Sequence, residues 1–363
     1  MKKVFIAATQ QNDGKTTVAL GLIFNFSKAF ASIGFIKPVG QRYLEENGFK
    51  IDEDSILIED TLKLCNIKCK LKDMSPVAVE KGFTEAYINK PQPKAITQQI
   101  KQAFGRISKD KDFVVIEGTG HAGVGSVIDH SNAKVAKILG AKVILISSGG
   151  IGRPIDEILL NKALFDKEGI KLVGVIINKV MPEKFDRINK LVRKGLKYKG
   201  VDVLGVIPYN PMLSYPAIRQ ILEETNFTLL SEKNAPELDN CVARIAIGAM
   251  HPKEAAKYIT EQNLIITPGD RSDIIKVALD LHAHGRKISG LILSGNITPP
   301  EEVMTALKES SIPILFSQTD TYTTAGSIHD LTVKIRPEDK EKIEIVKKMI
   351  QNYVNLDLIL KRM

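Results

Sequence analysis

The chain has 363 residues, of which 44% are hydrophobic, so it exceeds one typical domain and two domains with substantial cores are expected. No apolar run approaches the roughly eighteen residues that a membrane helix needs, so no membrane span is expected. The net charge of +9 divides into +11 for residues 1–214 and −2 for residues 215–363; its most basic stretch, residues 184–199, has the spacing of a solvated helix face rather than of a nucleic-acid surface.

The N-terminal segment has the pattern of a loop that binds nucleotide phosphates. Val4–Ala8 is predicted as a buried strand and Val18–Phe24 as a helix, and the segment between them contains Gly14-Lys15-Thr16. In this pattern the helix N-terminus binds phosphate, the lysine reaches the β- and γ-phosphates, and the threonine hydroxyl binds Mg²⁺. Thr9 stands where the standard pattern has glycine. The predicted nucleotide-binding residues of the loop are Asn12, Asp13, Gly14, Lys15, Thr16 and Thr17.

Together with Lys37-Pro38-Val39, which ends a second apolar run, this loop resembles that of the dethiobiotin synthetase family. The resemblance implies that Lys37 points into the phosphate site, where it and Lys15 would act as catalytic cations. It also implies that Asp54 contacts Mg²⁺, although an acid at this position is equally explained as the N-cap of a helix. The resemblance further implies that Pro208, in an Ile-Pro element at the end of a later strand, lies near the nucleotide base.

Apolar strands alternate with helical patterns, such as Lys94–Phe104 and Pro154–Phe165, as far as about residue 210. This alternation predicts the α/β class, with a P-loop NTPase whose mostly parallel sheet is covered on both faces. The predicted strands are Val4–Ala8, Gly34–Pro38, Phe113–Glu117, Lys142–Ser147, Leu172–Ile177 and Val203–Pro208. Ligands bind at the carboxyl ends of such strands, and all the candidate site residues lie there.

Two of these strand ends carry candidate ligands. Glu117 ends an apolar strand and precedes two glycines, so we predict that it binds Mg²⁺ directly or through water. His121, in the glycine-rich loop that follows, is predicted to be a hydrogen-bonded bystander. The amide of Asn178 can pair with the edge of adenine, and Met181 replaces the acid that guanine recognition requires. The sequence therefore predicts ATP rather than GTP as the nucleotide.

A turn-rich segment near residue 215 marks the predicted boundary between two domains. The predicted domains are residues 1–214, the P-loop ATPase domain, and residues 215–363, a smaller α/β domain that resembles a DRTGG domain. In the second domain Asp270 and Arg271 are interpreted as either a ligand site or a turn-stabilising ion pair. Its predicted strands are Arg244–Ala249, Leu264–Thr267, Gly290–Leu293, Ile312–Phe316 and Leu331–Ile335.

The combination of the two modules resembles the N-terminal half of long phosphotransacetylases, and we expect their catalytic acetyltransferase domain to be absent. Three functional hypotheses remain. The first is a Mg-ATP-dependent ATPase, ligase or kinase-type enzyme that acts on an unknown carboxylate or carbamate acceptor. The second is a non-catalytic nucleotide sensor. The third, a partitioning-type ATPase on DNA, is disfavoured because Gln10 and Gln11 stand where that group has an extra lysine.

The cysteines, the N-terminus and the charge of the chain predict its compartment and its oligomeric state. Three cysteines without a second metal-ligand pair argue against a zinc site and fit a reducing compartment. The N-terminus shows no signal-peptide pattern, so a cytoplasmic location is expected. A homodimer held by the second domain is predicted, because the charge of −2 removes long-range repulsion between copies.

Overall fold

The computed structural model describes residues 1–65, 67–230 and 236–363. The chain forms two compact units: the first comprises Met1–Tyr209 and Ile335–Met363, and the second comprises Asn210–Lys334. This division differs from the predicted boundary after residue 214, because residues 335–363 belong to the first unit. No helix in the described ranges is both long and apolar enough to cross a membrane.

The first unit is built on a parallel sheet. The strands of the unit are β1 (Lys2–Ala8), β2 (Ile33–Ile36), β3 (Val39–Gly40), β4 (Tyr43–Glu46), β5 (Phe49–Asp52), β6 (Val77–Ala78), β7 (Phe113–Glu117), β8 (Lys142–Ser148), β9 (Leu172–Val180) and β10 (Val203–Pro208). Within the described residues the main sheet has six strands in the order β10-β9-β8-β1-β7-β2, and every neighbouring pair is parallel. These strands are buried almost throughout, which fits their apolar sequences and a sheet covered on both faces.

Helices connect these strands as the alternating pattern requires. The helices of the unit are α1 (Lys15–Phe26), α2 (Glu53–Leu64), α3 (Leu71–Met74), α4 (Phe83–Asn89), α5 (Pro93–Ser108), α6 (Asn132–Ile138), α7 (Gly152–Lys167), α8 (Phe185–Tyr198), α14 (Lys340–Tyr353) and α15 (Leu356–Arg362). The basic stretch forms α8. Its buried side consists of Ile188, Val192 and Leu196, and its lysines face outward, as predicted for a solvated helix face.

The C-terminal helices complete the core of the first unit. Ile350 of α14 packs so closely on Gly21 of α1 that a Cβ there would lie 2.2 Å from it. The Asn25 side chain donates to the carbonyl of Lys347 at 3.1 Å, and the backbone N–H of Asn355 donates to Leu204 at 2.8 Å. Because this apolar side of α14 is buried against α1, residues 335–363 cannot be separated from the first unit without exposing it.

The second unit contains a smaller sheet. The elements of the unit are α9 (Ile218–Glu224), β11 (Thr228–Leu229), β12 (Arg244–Ile247), α10 (Pro252–Tyr258), β13 (Asn263–Pro268), α11 (Ser272–Ala283), β14 (Gly290–Ser294), α12 (Glu301–Glu309), β15 (Ile314–Phe316) and α13 (Thr321–His329). The strand order is β11-β15-β14-β13-β12. Strands β12 to β15 are parallel, and β11 pairs antiparallel with β15 at one edge. Hydrophobic clusters lie on both faces of this sheet.

One predicted strand of the second domain is wrong. Residues 331–335 form neither helix nor strand, although they alternate apolar and polar residues. The edge of the sheet next to β15 is taken by β11 instead, which was not predicted from the sequence because it is only two residues long. Leu331 packs against the apolar cluster on one face of the sheet, so its burial has a reason other than strand pairing.

Candidate functional site

The carboxyl ends of the parallel strands in the first unit bring the predicted site residues to one edge of the sheet. The phosphate loop follows β1, and Lys37 follows β2 directly. Glu117 is the last residue of β7, and Asn178 and Pro208 lie at the ends of β9 and β10. Since all six strands run in the same direction, residues far apart in sequence meet at this edge.

The phosphate loop ends in a glycine whose conformation the site requires. Gly14 caps the N-terminus of α1 with φ 96°, a left-handed conformation that favours glycine. A Cβ at this position would lie 2.3 Å from Nδ2 of Asn178. The cap residue has no side chain, so no cap side chain bonds the backbone N–H groups in the first turn of α1. A helix N-terminus of this kind binds anions, because the N–H groups and the helix dipole both favour negative charge.

Lys15 and Thr16 open α1 and face the acid at the end of β7. The Thr16 hydroxyl donates to Oε1 of Glu117 at 2.8 Å. Glu117 is fully buried, and among the described residues its Oε2 has no hydrogen-bond partner. Burial, together with the nearby Asp54 carboxylate, raises the pKa of Glu117 to about 7. Burial also lowers the pKa of Lys15, while the charge of Glu117 opposes that effect.

Lys37 lies between two carboxylates. Its Nζ is 2.7 Å from Oδ1 of Asp52 and forms a second ion pair with Asp54, and the lysine is only 6% exposed. Burial alone would lower the pKa of Lys37, but the charges of Asp54 and Asp52 raise it well above its usual range, so the lysine is charged. The structure thus places Lys37 between Asp52 and Asp54, and its role toward phosphate stays a prediction.

The helix-cap explanation for Asp54 is wrong, because Asp52 occupies that position. The carboxylate of Asp52 accepts the backbone N–H of Asp54 at 3.0 Å and caps α2. Asp54 is the second residue of the helix, and its side chain bonds Lys37 instead. Asp52 was not predicted from the sequence, although its position at the end of an alternating strand and before a helix was a usable signal.

The amide of Asn178 contacts the phosphate loop. Its Nδ2 donates to the carbonyl of Asp13 at 2.9 Å, and its Oδ1 accepts the backbone N–H of Lys179 at 2.9 Å. Lys179 has a positive φ of 56°, and its Nζ donates to the carbonyl of Asn12 at 2.6 Å. Each end of the amide therefore already has a backbone partner, and a contact between Asn178 and adenine stays a prediction.

The glycine-rich loop after β7 is fixed by two asparagines. Asn132 accepts the backbone N–H of Thr119 at 3.1 Å and donates to the carbonyls of Thr119 and His121. Asn161 accepts the N–H of Ala122 at 2.8 Å. The ring of His121 is exposed and accepts the N–H of Gly123 at 3.1 Å, so it is a hydrogen-bonded loop residue, as predicted.

In the second unit Arg271 forms an ion pair, but not the one with Asp270 that was one of two alternatives considered from the sequence. Arg271 pairs with Asp273 through Nε at 2.8 Å and Nη2 at 3.0 Å, rather than with Asp270. The same guanidinium donates to the carbonyls of Gly248 at 3.2 Å and Met250 at 2.9 Å. These contacts show that Arg271 connects the turn after β13 to the segment after β12.

The residues at the first edge fit a magnesium ion that is shared with a nucleotide. No group of three or more His, Cys, Asp or Glu side chains in the described part of the chain could hold a metal without other ligands. The fully buried Oε2 of Glu117 nevertheless has no partner within those residues, and Thr16 and Asp54 supply further oxygen atoms nearby. Oxygen ligands with phosphates completing the set are what Mg²⁺ prefers.

Family comparisons match both units of the chain. The AAA_26 family, described as an AAA domain, matches residues 2–217, and the DRTGG domain family matches residues 220–331. The predicted pairing of a P-loop domain with a DRTGG domain is therefore confirmed, as is the α/β fold class.

Individual relatives share the whole of this pairing. The phosphate acetyltransferase of Pseudomonas putida is 27% identical over 98% of this chain and 51% of its own length. The phosphate acetyltransferase of Synechocystis sp. is 28% identical over 94% of this chain and 48% of its own length. The chain thus spans about half the length of the curated relatives it matches. Among solved structures, the MinC:MinD cell division protein complex of Aquifex aeolicus matches 59% of this chain and 84% of its own, with 16% identity and a TM-score of 0.37.

Proposed function

Because this chain belongs to the AAA_26 family of AAA domains, we propose that its first unit binds Mg-ATP at the phosphate loop. The observation that carries the proposal is the arrangement of Thr16 and Glu117. The hydroxyl of Thr16 bonds one oxygen of a fully buried carboxylate whose second oxygen has no partner in the described chain, beside Lys15 and an uncapped helix N-terminus. A buried acid without a full set of partners costs free energy that a bound cation would recover.

The residues of the site have separate tasks in this proposal. The backbone N–H groups at the start of α1 bind the phosphates, and Lys15 neutralises their charge. Thr16, Asp54 and Glu117 would hold magnesium, which when bound neutralises charge that develops on the transferred phosphate. Lys37 stays protonated between its two carboxylates, and it would act as a second cation after leaving one of these ion pairs. The nucleophile would be water or a carboxylate or carbamate of an unidentified acceptor.

A variant of Lys15 tests the proposal. We expect Lys15→Ala to weaken ATP binding by about a hundredfold or more, because charge-assisted bonds to phosphate are among the strongest that side chains make. Lys190→Ala, on the exposed face of α8, is the control for lost positive charge. Isothermal calorimetry of both variants with Mg-ATP gives the answer. Equal affinity of Lys15→Ala and the wild type would remove the central claim.

The proposed preference for adenine over guanine rests on the residue at position 181. Met181 still lacks the carboxylate that guanine recognition requires, whereas Asn178 is engaged with the loop. We therefore propose ATP as the nucleotide on the strength of Met181 alone, with Pro208 near the base at the end of β10. Competition between ATP and GTP for the wild-type site tests the assignment, and tighter binding of GTP would reverse it.

A nucleotide sensor without turnover is the second candidate, and the contacts of Lys37 favour it. The charge of this lysine is already balanced by Asp52 and Asp54, so it must leave a salt bridge before it can bind a phosphate. Steady-state phosphate release by the purified protein separates the two candidates.

We also propose that the second unit holds a homodimer together. In the described part of the chain β12 is an edge strand, and its Ile245 and Ile247 are exposed on the same side of the sheet. A parallel edge with exposed apolar residues is available for pairing with another copy. Light scattering on the full chain should give a dimer, and Ile247→Lys should give a monomer. Leu160→Lys, at an exposed position of the first unit, is the matched control.

A further inference from the structure

A buried carboxylate lies beneath the phosphate loop. Asp13 is only 4% exposed, although it directly precedes the glycine that caps α1. Its Oδ2 accepts the hydroxyl of Thr9 at 2.8 Å and the backbone N–H of Gln10 at 2.8 Å. Its Oδ1 accepts the hydroxyl of Ser148, at the end of β8. The side chain therefore points back into the base of the loop, between the ends of β1 and β8.

The surroundings of this carboxylate are polar and also buried. The Thr9 hydroxyl oxygen lies 3.0 Å from the hydroxyl oxygen of Ser147, and both residues are inaccessible to solvent or nearly so. A buried carboxylate destabilises a fold unless donors satisfy it, and here three donors do so. Because the donors come from the loop itself and from a neighbouring strand, satisfying Asp13 requires one particular path of the loop.

The other side of the loop is held from a different strand. The carbonyl of Asp13 accepts the amide of Asn178, and the carbonyl of Asn12 accepts the ammonium group of Lys179. Both of these donors belong to the end of β9. The segment before Gly14 is thus attached to β8 through the Asp13 side chain and to β9 through its backbone.

We propose that Asp13 is a positioning residue, which holds the phosphate loop in its nucleotide-binding conformation before the nucleotide arrives. This inference rests on the proposed function of the loop. It differs from the sequence-based expectation that Asp13 contacts the nucleotide, because the carboxylate oxygens are occupied by Thr9, Gln10 and Ser148 on the protein side. The loop backbone, rather than the acid, would meet the phosphates.

The ligand class affected by Asp13 follows from the position of the loop. The loop and the start of α1 bind the phosphates that ATP and ADP have in common. Misplacing the loop should therefore weaken ATP and ADP to a similar extent, whereas loss of a contact to the γ-phosphate would weaken ATP alone. This parallel loss distinguishes positioning of the loop from recognition of one phosphate.

Two substitutions at Asp13 separate geometry from charge. In Asp13→Asn, the amide oxygen can still accept from Thr9 and Gln10, and the NH₂ group can donate to the hydroxyl of Ser148. We expect this variant to bind ATP and ADP within about threefold of the wild type, since the network is kept. Asp13→Ala removes all three bonds and should weaken both nucleotides by about tenfold or more. Ser148→Ala removes one bond and should fall between them.

Calorimetry on the full chain measures the affinities for ATP and ADP, and thermal unfolding shows whether each variant is folded. If Asp13→Ala binds nucleotide as tightly as the wild type, the inference is overturned. It is also overturned if Asp13→Asn binds nucleotide as weakly as Asp13→Ala, because the charge of the side chain would then matter rather than its hydrogen-bond geometry. If Asp13→Ala does not fold, Ser148→Ala and Asp13→Asn still decide between these outcomes. Absence of nucleotide binding by the wild type would instead overturn the proposed function.

Discussion

At the carboxyl edge of the first sheet a cluster of titratable side chains meets below the surface, whereas the same edge of the second sheet is lined by hydroxyl groups. The clustered residues are Lys15, Lys37, Asp52, Asp54 and Glu117. In the second unit Ser294 lies 2.8 Å from Thr321, and Ser317 lies 2.8 Å from Thr324, each distance measured between hydroxyl oxygens. The ion pair between Arg271 and Asp273, after β13, is partly exposed.

The two edges differ in the free-energy cost of burying their polar groups. Buried charges are expensive to desolvate, so a site that keeps them must use them or balance them. Neutral hydroxyl groups satisfy one another at little cost, and an exposed ion pair contributes little to stability. The comparison therefore favours nucleotide chemistry at the first edge, and it predicts that substitutions there change ligand binding and pH dependence more than substitutions at the second edge.

Among the tests that compare the carboxylates of the two edges, Glu117→Gln is expected to have the largest effect. The carboxylate is proposed to act through magnesium, so the increase in ATP affinity that Mg²⁺ produces should fall by about tenfold or more. Binding of ATP in the presence of a chelator should change little, because the amide oxygen of the new side chain can still accept the hydroxyl of Thr16. Calorimetry with and without Mg²⁺ measures both quantities. An equal loss in the two conditions would give Glu117 a structural role and weaken the contrast between the edges.

An effect of intermediate size is expected on the way the free energy of unfolding of the metal-free protein depends on pH. The pKa of Glu117 is raised from 4.5 in the unfolded chain to about 7 in the fold, so the folded state binds the proton more tightly. Its contribution to stability is complete below pH 4.5 and is lost as the pH rises towards about 7. The free energy of unfolding should thus decline over this window by an amount on the order of 1–3 kcal/mol.

The measurement is urea unfolding of the chelated protein at several pH values. Glu117→Gln should remove this part of the decline, since glutamine does not titrate. Parallel pH profiles for the variant and the wild type would show that the carboxylate is not destabilised by burial, and the argument from its missing partner would fail.

The smallest effect is expected at the second edge. Hydrogen bonding to Arg271 lowers the pKa of Asp273 below its usual 3.8, so its contribution to stability is present above that pH and is lost as the pH falls. Because both side chains are partly solvated, Asp273→Asn should cost less than about 1 kcal/mol, and less still in high salt. Nucleotide binding by the first unit should not change. A loss as large as that of Glu117→Gln would abolish the distinction between the two edges.

The sequence by itself determined the α/β class, the P-loop and the pairing with a DRTGG domain. The α/β class and the P-loop follow from local patterns: apolar strands that alternate with helices, and Gly14-Lys15-Thr16 between a strand and a helix. The pairing with a DRTGG domain came from resemblance to known families. The carboxylate at the end of β7 was also predictable, because an acid before two glycines at a strand end has little use in packing. Parallel strands then bring such residues together without further information.

Only the tertiary structure decided the partners of the buried side chains. Asn178 bonds the phosphate loop, Asp52 takes the helix cap that was considered for Asp54, and Asp13 turns inward to Ser148. It also decided that residues 335–363 return to the first unit, where α14 packs on α1. Such outcomes depend on distances between segments far apart in sequence, and local propensity carries no information about those distances.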